Sequence, residues 1–316
     1  MKYPISNHLI RIALALCVCL WIGCQASTLN IGDIGTSENP LEKSGTLTKS
    51  EVWSGNILIT GNVIVPEGVT LTIRSRSIVG FEPTIGGAHQ LIVHGTLYAE
   101  GEPDGFIILG SLGSDAGPPK AGDWEGILFT ETSLNSRLTY CRIQHARGII
   151  CRSNLVQIEH CWLADNYLAI LCDNVSPFIS QNEINRNGTA IKCLKGAAPE
   201  ITRNAIRANE FGIVCDDDSR PMIHLNEISS NYQHAIVCYS TASPEITSNN
   251  IILNGGWAVY DGGRLRDNFI RGNKERGPDV IERGTGRDSG QFYGVDEVLD
   301  PRASPVPNAG VEREGY

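Results

Sequence analysis

The apolar residues of this chain occur in short alternating runs that are separated by Asn, Gly, Asp or Pro. Examples are NILITGNVIV at 56–65 and GILF at 126–129. None of these runs is long enough to carry the 3.6-residue stripe of an amphipathic helix, whereas alternation and β-branched residues favour strands. The pattern therefore predicts an all-β chain in which many short strands are joined by tight turns.

A sequence repeat underlies this pattern in the C-terminal half. Prolines recur at intervals of 22, 22 and 23 residues, and two asparagines follow each proline at fixed offsets. The prolines are Pro177, Pro199, Pro221 and Pro244; the first asparagines are Asn182, Asn204, Asn226 and Asn249, the second are Asn187, Asn209, Asn231 and Asn254, and Asn268 with Asn273 continues the series. One unit cannot bury its own apolar side, but units stacked at the strand spacing of about 4.8 Å share a continuous core.

This stacking predicts a single-stranded right-handed parallel β-helix of roughly ten coils over residues 51–273. The leucine-rich repeat is the alternative at such a period, but its Leu-rich consensus is missing from the chain. The repeated asparagines are predicted to be structural. Their amides can hydrogen-bond up and down the stack and so satisfy polar groups that burial would otherwise leave unpaired.

Five cysteines end the apolar runs of successive repeats and therefore share one position in the coil. They are Cys151, Cys172, Cys193, Cys215 and Cys238. The favoured interpretation is an inward row of buried thiols, because buried cysteine behaves as a small hydrophobic residue. Two alternatives remain open, namely one or two disulfides in an oxidising envelope and a thiolate metal site.

Three segments of the N-terminal half resemble a known family: GNVIVPEGVTLTI at 61–73, LIVHGTLYAEGEPDGFIILGS at 91–111 and GDWEGILF at 122–129. They look like the opening coils of secreted bacterial right-handed parallel β-helix proteins of the pectate-lyase-like superfamily. The asparagine units are similar to the parallel β-helix repeats that follow such coils. Residues 274–316 are interpreted as a loop and a C-terminal cap or tail, because SPVPNAG at 304–310 resembles the end of these β-helices.

The outward rows beside the cysteines are where this resemblance implies catalysis, because strand side chains alternate between the two faces. Polysaccharide lyases and epimerases of related shape need a base, a cation for uronate carboxylates and often calcium. The candidate catalytic residues are Arg152, Asp173, Lys192 and Asp216, and the candidate calcium ligands are Asp216, Asp217 and Asp218. A mixed-charge solvated face and an acidic turn are the alternatives to these two sites.

Aromatic residues are the other candidate contacts, because carbohydrate binding is common among the proteins that this chain resembles. Sugar rings stack on exposed aromatic side chains. The candidate platforms are Trp53, Trp124, Trp162, Tyr239 and Trp257. For Trp124, packing at the end of a coil is the favoured alternative.

The start of the chain has the pattern of an export signal over residues 1–23, with an apolar run at 12–23 after a positively charged start. The small residue before Cys24 resembles the cleavage site of bacterial lipoprotein precursors, which implies that Cys24 is lipid-modified. Residues 24–50 would then be a polar tether to the outer membrane. Ordinary cleavage near Ala26 is the alternative.

The charge of the chain bears on its partners. A formal net charge of −9 and a pI near 5.3 make the average surface repel a phosphate backbone, so nucleic acid is excluded as an expected partner. The chain contains neither a nucleotide-binding glycine motif nor a histidine row, and no cofactor is predicted.

These observations favour a non-catalytic β-helix of the bacterial cell envelope that binds or scaffolds, with a glycan or an envelope protein as its partner. A polysaccharide lyase, hydrolase or epimerase is the first alternative. The second is a periplasmic maturation factor for a metalloenzyme, because one related β-helix family assists copper-site assembly in nitrous oxide reductase. That last likeness concerns the fold only, and fold does not establish function.

Overall fold

The computed structural model describes residues 34–83, 88–113, 117–239 and 241–273, together with Val306, Ala309 and Gly310. The regular elements in these ranges are 29 strands. The strands of neighbouring coils pair in parallel, because the rest of each coil serves as the crossover that returns the chain in the same direction. Across these ranges no helix has the length and apolar character needed to cross a membrane.

The strands are short throughout, apart from β3, which runs through three faces of the first coil and pairs in turn with β4, β5 and β6. The N-terminal strands are β1 (Ile34–Gly35), β2 (Leu41–Thr46), β3 (Glu51–Val65), β4 (Thr70–Ile73), β5 (Ile78–Phe81), β6 (Gln90–Val93), β7 (Thr96–Glu100), β8 (Ile107–Ser111), β9 (Gly126–Phe129), β10 (Ser136–Thr139) and β11 (Cys141–Gln144). The middle strands are β12 (Ile149–Cys151), β13 (Val156–Glu159), β14 (Trp162–Ala164), β15 (Leu168–Asp173), β16 (Phe178–Ser180), β17 (Glu183–Asn185), β18 (Thr189–Leu194), β19 (Glu200–Thr202) and β20 (Ala205–Arg207). The last strands are β21 (Phe211–Cys215), β22 (Met222–His224), β23 (Glu227–Ser229), β24 (Ile236–Cys238), β25 (Glu245–Thr247), β26 (Asn250–Ile252), β27 (Val259–Tyr260), β28 (Arg264–Arg266) and β29 (Phe269–Arg271).

Each coil of the repeat contains three strands. In one coil these are β16, β17 and β18, and the next coil places β19, β20 and β21 directly beside them. The register advances by one repeat, so that Ile179 pairs with Ile201 and Cys193 pairs with Cys215. The chain thus winds into a parallel solenoid of about ten turns, which confirms the fold class predicted from the repeat.

The inward positions of successive coils form continuous apolar rows. Ile179, Ile201 and Ile223 are stacked in register, and each is 0% exposed. The cysteine row is continuous as well, because the strands pair Cys151, Cys172, Cys193, Cys215 and Cys238 in order. All five are buried free thiols, and burial raises the pKa of Cys151 to about 12. The row is therefore part of the hydrophobic core.

Two ladders of buried asparagine amides line the turns of each coil. Asn204 shows the pattern: its Nδ2 donates to the Ile179 carbonyl at 3.0 Å and to Asn226 Oδ1 at 3.0 Å, and its Oδ1 accepts the Asn182 N–H at 2.9 Å. The same bonds recur from coil to coil in both ladders, which confirms the predicted asparagine ladder. The residue before each asparagine has a positive φ, 54° at Arg203, which the amide bonds hold in place.

The ends of the solenoid differ from the sequence-based boundaries. Residues 34–46 were expected in the polar tether, yet β1 and β2 pair with β3 and extend the solenoid before Glu51. Backbone hydrogen bonds make this pairing, so a polar sequence suffices where no further coil covers the outer edge. The signal segment, Cys24 and most of 274–316 lie outside the described residues, and those predictions stay untested.

The described part of the C-terminal tail contacts the side of the last coils. The Val306 N–H donates to Asn250 Oδ1 at 2.7 Å, and Asn250 Nδ2 donates to the Val306 carbonyl at 3.1 Å. The Gly310 N–H donates to the Leu225 carbonyl at 2.7 Å. These bonds attach the tail to the side formed by β23 and β26, away from the cysteine strands.

Candidate functional site

A groove lies on the outward side of the turn that contains the second asparagine of each coil. Backbone hydrogen bonds stack the residues that follow these asparagines. The Glu210 N–H donates to the Asn187 carbonyl at 2.9 Å, and the Tyr232 N–H donates to the Asn209 carbonyl at 2.8 Å. The resulting row is Tyr167, Gly188, Glu210 and Tyr232, one residue from each of four successive coils. We call the open cavity of 720 Å³ along this row the tyrosine groove; its other lining residues are Pro119, Lys120, Ala121, His145, Asp165, Asn166, Arg186, Asn187 and Ala208.

Two exposed tyrosines mark the length of the tyrosine groove. Tyr167 is 63% exposed and Tyr232 is 56% exposed, although both line the same cavity. A Cβ on Gly122 would lie only 2.7 Å from the Tyr167 ring, so the loop around Gly122 supports this ring from one side. A large, amphipathic and partly fixed aromatic ring is suited to contact with a ligand that has both apolar and polar faces.

Small residues keep the middle of the groove open. At Gly188 a Cβ would meet the Tyr167 carbonyl oxygen at 2.5 Å, so the close approach of the two coils excludes any side chain there. In the neighbouring row Arg186 is followed one coil further along by Ala208, so the side chain is short at the level of Glu210. The depression between the tyrosines therefore follows from the repeat sequence.

An ion pair forms one side of the groove. Arg186 Nε donates to Asp165 Oδ1 at 2.9 Å, and Arg186 Nη2 donates to Asp165 Oδ2 at 2.8 Å. Arg186 Nη1 donates to Asn185 Oδ1 at 2.8 Å. The Arg186 hydrogen bond keeps the pKa of Asp165 below its ordinary value despite partial burial. The guanidinium fork is thus already occupied by protein groups.

His145 lies beside this ion pair at one end of the groove. Burial lowers the pKa of His145, against the opposing effects of Asp165 and Asp123, so the ring is neutral at pH 7. Its Nδ1 is buried and has no hydrogen-bond partner within the described ranges. A neutral imidazole next to an acid and a guanidinium is able to accept a proton, which makes His145 a candidate base of the groove.

Glu210 and Lys120 are the remaining charged groups of the groove. Glu210 is exposed in the middle of the tyrosine row, and Gln233 Nε2 donates to its Oε1 at 3.0 Å. In the part of the chain that the structure describes, neither Glu210 nor Lys120 has an ion-pair partner. The floor between the tyrosines therefore carries a carboxylate, and the single unpaired cation lies toward the Tyr167 end.

The candidate catalytic residues from the sequence lie on another part of the outward face. Arg152 Nε contacts Asp173 Oδ2 at 3.2 Å, and Lys195 Nζ contacts Asp173 Oδ1 at 2.8 Å. The hydrogen bond from Lys195 lowers the pKa of Asp173, so this carboxylate is a paired anion. Lys192 lies in the preceding row, between Leu171 and Val214, and does not join the pair.

The acidic triplet Asp216–Asp218 forms a turn. The Asp217 N–H donates to Asp216 Oδ1 at 2.9 Å, and the Ser219 N–H donates to the Asp216 carbonyl at 3.1 Å. Asp217 and Asp218 have positive φ values of 49° and 59°. Throughout the described ranges no group of three or more His, Cys, Asp or Glu side chains is placed to hold a metal ion.

The predicted aromatic platforms are mostly buried. Trp53 is 1% exposed and Trp257 is 8% exposed. Trp124 is fully buried and stacks on Phe81 with ring centroids 3.9 Å apart. Trp162 is half-buried beneath the Arg142 guanidinium, 4.2 Å from its ring, and Tyr239 is 42% exposed.

Tyr167 and Tyr232 were not among these candidates, although the repeat contained a signal for them. Both directly follow the second asparagine of their unit, at Asn166 and Asn231. The side chain that directly follows a buried ladder asparagine points outward from the turn, so the register of the repeat predicts that it is exposed. Aromatic identity alone does not separate inward from outward positions.

The fold and the comparisons define the class of the protein. Residues 172–289, less than half of the chain, match a family model described as a right handed beta helix region. The chain is also similar in structure to a mutant of the periplasmic alginate epimerase AlgG, with a TM-score of 0.56 and 13% sequence identity. That alignment covers 72% of this chain and 59% of the epimerase, so it spans less than two thirds of that protein.

The protein is therefore a right-handed parallel β-helix, as the sequence predicted. At 13% identity the likeness to the epimerase extends to the fold alone. No curated protein sequence matches the chain.

Proposed function

We propose that this protein is an exported β-helix that binds carbohydrate in the tyrosine groove. The observation that carries the proposal is the pair of exposed rings, Tyr167 and Tyr232, in one open cavity of 720 Å³. Sugar rings present apolar C–H faces and polar hydroxyl edges. A groove with aromatic rings at its ends and polar groups between them matches both kinds of surface.

Export and anchoring belong to the same proposal. The apolar run at 12–23 and the small residue before Cys24 support secretion and lipid modification. A glycan-binding solenoid held at the bacterial envelope by Cys24 would meet polysaccharides of that compartment. Metabolic labelling with a palmitate analogue tests the anchor, because Cys24→Ala should abolish the label.

A glycan array tests the binding proposal. The purified solenoid with its tail, residues 34–316, should bind a defined group of oligosaccharides. Tyr167→Ala and Tyr232→Ala should each weaken this binding by about tenfold, as loss of a central aromatic contact does. Tyr239→Ala is the matched control, because Tyr239 is another exposed tyrosine outside the groove. Equal loss in all three variants, or no binding to any glycan, would refute the assignment to this groove.

A second candidate function is modification of a polysaccharide, and the neutral His145 in the groove favours it. The epimerase to which the fold is similar is named for alginate, a polyuronate. His145 would act as the base, with Asp165 and Arg186 beside it. Incubation with polyuronates, followed by proton NMR of the sugar, tests this function: conversion by the protein and none by His145→Gln would establish it, and unchanged polymer would exclude it.

A further inference from the structure

The two tyrosines are separated along the axis of the solenoid. Tyr167 and Tyr232 occupy the same turn position three coils apart, with Gly188 and Glu210 in the coils between. Three coils at the strand spacing of about 4.8 Å place the two positions roughly 14 Å apart. A single sugar ring is too short to contact both aromatic side chains. A chain that runs parallel to the solenoid axis contacts both, whereas a chain that follows the strands contacts one.

The charge between the tyrosines is negative. Glu210 is exposed at this point, and among the described residues its carboxylate accepts a hydrogen bond from Gln233 Nε2 and forms no ion pair. An ionised carboxylate only accepts hydrogen bonds, and its two oxygens offer several acceptor sites. It therefore suits sugar hydroxyls, which donate, and it repels the carboxylate of a uronate.

The cations of the groove do not reverse this preference. Asp165 and Asn185 already occupy the fork of Arg186 through three hydrogen bonds of 2.8 to 2.9 Å. A uronate would have to displace Asp165 in order to gain the same contacts. Lys120 lies in the loop at the Tyr167 end, one lysine for a groove that spans four coils.

We infer that the tyrosine groove selects a neutral, hydroxyl-rich polysaccharide over a polyuronate and holds the chain parallel to the solenoid axis. This inference rests on the proposed carbohydrate binding and adds the charge class and the direction of the ligand. It separates the ligand of this protein from that named for its structural neighbour, since alginate is an acidic polymer.

The test is isothermal titration of the full secreted chain with two panels of hexasaccharides. The neutral panel contains gluco-, xylo-, galacto- and manno-oligosaccharides, and the acidic panel contains oligomers of mannuronate, guluronate and galacturonate. At low salt we expect the best neutral hexasaccharide to bind at least about tenfold more tightly than any acidic one, because like charges at an interface strongly disfavour binding. Added salt should reduce the ratio of neutral to acidic affinity, because it screens the charge of Glu210.

Glu210→Gln separates charge from shape. The amide keeps the size of the side chain but removes its charge, so we expect the ratio of acidic to neutral affinity to rise by at least about threefold. Glu245→Gln is the control, because it removes the same charge from an exposed position outside the groove. If Glu245→Gln improves acidic binding equally, net charge and not Glu210 excludes uronates, and the inference is overturned.

Ligand length tests the direction of the chain. The best neutral hexasaccharide should bind at least about tenfold more tightly than its disaccharide, because it contacts both tyrosines at once. Tyr232→Ala should reduce this difference to less than about threefold. Equal affinities for the two lengths in the wild type would overturn the axial orientation.

The outcomes separate the inference from the function on which it rests. Tighter binding of the acidic panel overturns the charge selectivity and leaves carbohydrate binding intact. Absence of binding in both panels refutes the proposed function together with the inference. Neutral selectivity that depends on Glu210 and on both tyrosines supports the inference.

Discussion

Replacement of Asn204 by leucine tests the physical basis of the solenoid. Asn204 is fully buried, and its Nδ2 donates to the carbonyls of Ile179 and Thr202 and to Asn226 Oδ1, each at 3.0 Å. Its Oδ1 accepts from the backbone N–H and from Nδ2 of Asn182 at 2.9 and 3.0 Å. Leucine has nearly the same length but removes all five hydrogen bonds.

The groups left behind determine the size of the effect. Asn182 Nδ2 keeps its bond to the Ile158 carbonyl, and Asn226 Oδ1 keeps the Asn204 N–H. The Asn182 N–H and the Ile179 carbonyl lose these side-chain bonds inside the structure. At roughly 1 to 3 kcal/mol for a buried unpaired group, partly offset by the apolar leucine, we expect about 3 kcal/mol of lost stability and a Tm lower by roughly 6 to 12 °C.

Urea and thermal denaturation, followed by circular dichroism, measure this change. Asn226→Leu should behave alike, because its amide makes the equivalent bonds. Asn268→Leu provides a graded comparison at the end of the ladder, where the side chain is partly exposed and water replaces some of the lost bonds. Unchanged melting of both interior variants would refute the ladder as a source of stability.

Three further predictions concern the thiols, the pH dependence and the tail. Ellman titration of the denatured, unreduced solenoid, residues 34–316, should find close to seven free thiols, while the native protein reacts slowly because burial raises the pKa of Cys151 to about 12; five or fewer would indicate at least one disulfide. His234 Nδ1 accepts the backbone N–H of Trp257 at 2.8 Å, and burial lowers the pKa of this ring. The free energy of unfolding should therefore keep the full contribution of His234 above the ordinary pKa of 6.5 and lose it as the pH falls below that value. His234→Asn, which keeps an acceptor but does not titrate, should flatten that slope, and an unchanged slope would contradict the assignment. Asn250→Ala should speed hydrogen exchange of the Val306 amide, measured by mass spectrometry, because it removes that amide's acceptor; equal exchange rates would show that this contact does not hold the tail.

The fold was predictable because its determinants are periodic in the sequence. The asparagine and cysteine positions fix the register, and the structure stacks Asn182 on Asn204 and Cys193 on Cys215 as the repeat indicates. The first strands were not predictable in the same way. Leu41–Thr46 is polar and lacks the repeat. It joins the solenoid through backbone hydrogen bonds to β3, and such bonds do not require a recognisable pattern of side chains.

The candidate site was less predictable, because the sequence specifies the row to which a side chain belongs but not how far it extends from the surface or which groups it contacts. Of the candidate residues, Arg152 and Asp173 form an ion pair, and Lys195 rather than Lys192 is the second cation beside Asp173. The tyrosine groove depends on small residues at Gly188 and Ala208 between exposed rings. Such a depression comes from several coils together, and single-position arguments along the cysteine rows do not find it.

The most direct test of the account is a crystal structure of the protein with the neutral hexasaccharide that binds best. We predict sugar rings against Tyr167 and Tyr232, hydroxyl groups on Glu210, and a glycan chain parallel to the solenoid axis. A glycan bound on another face, such as the one that carries Tyr239, with the tyrosine groove empty, would contradict the central claim.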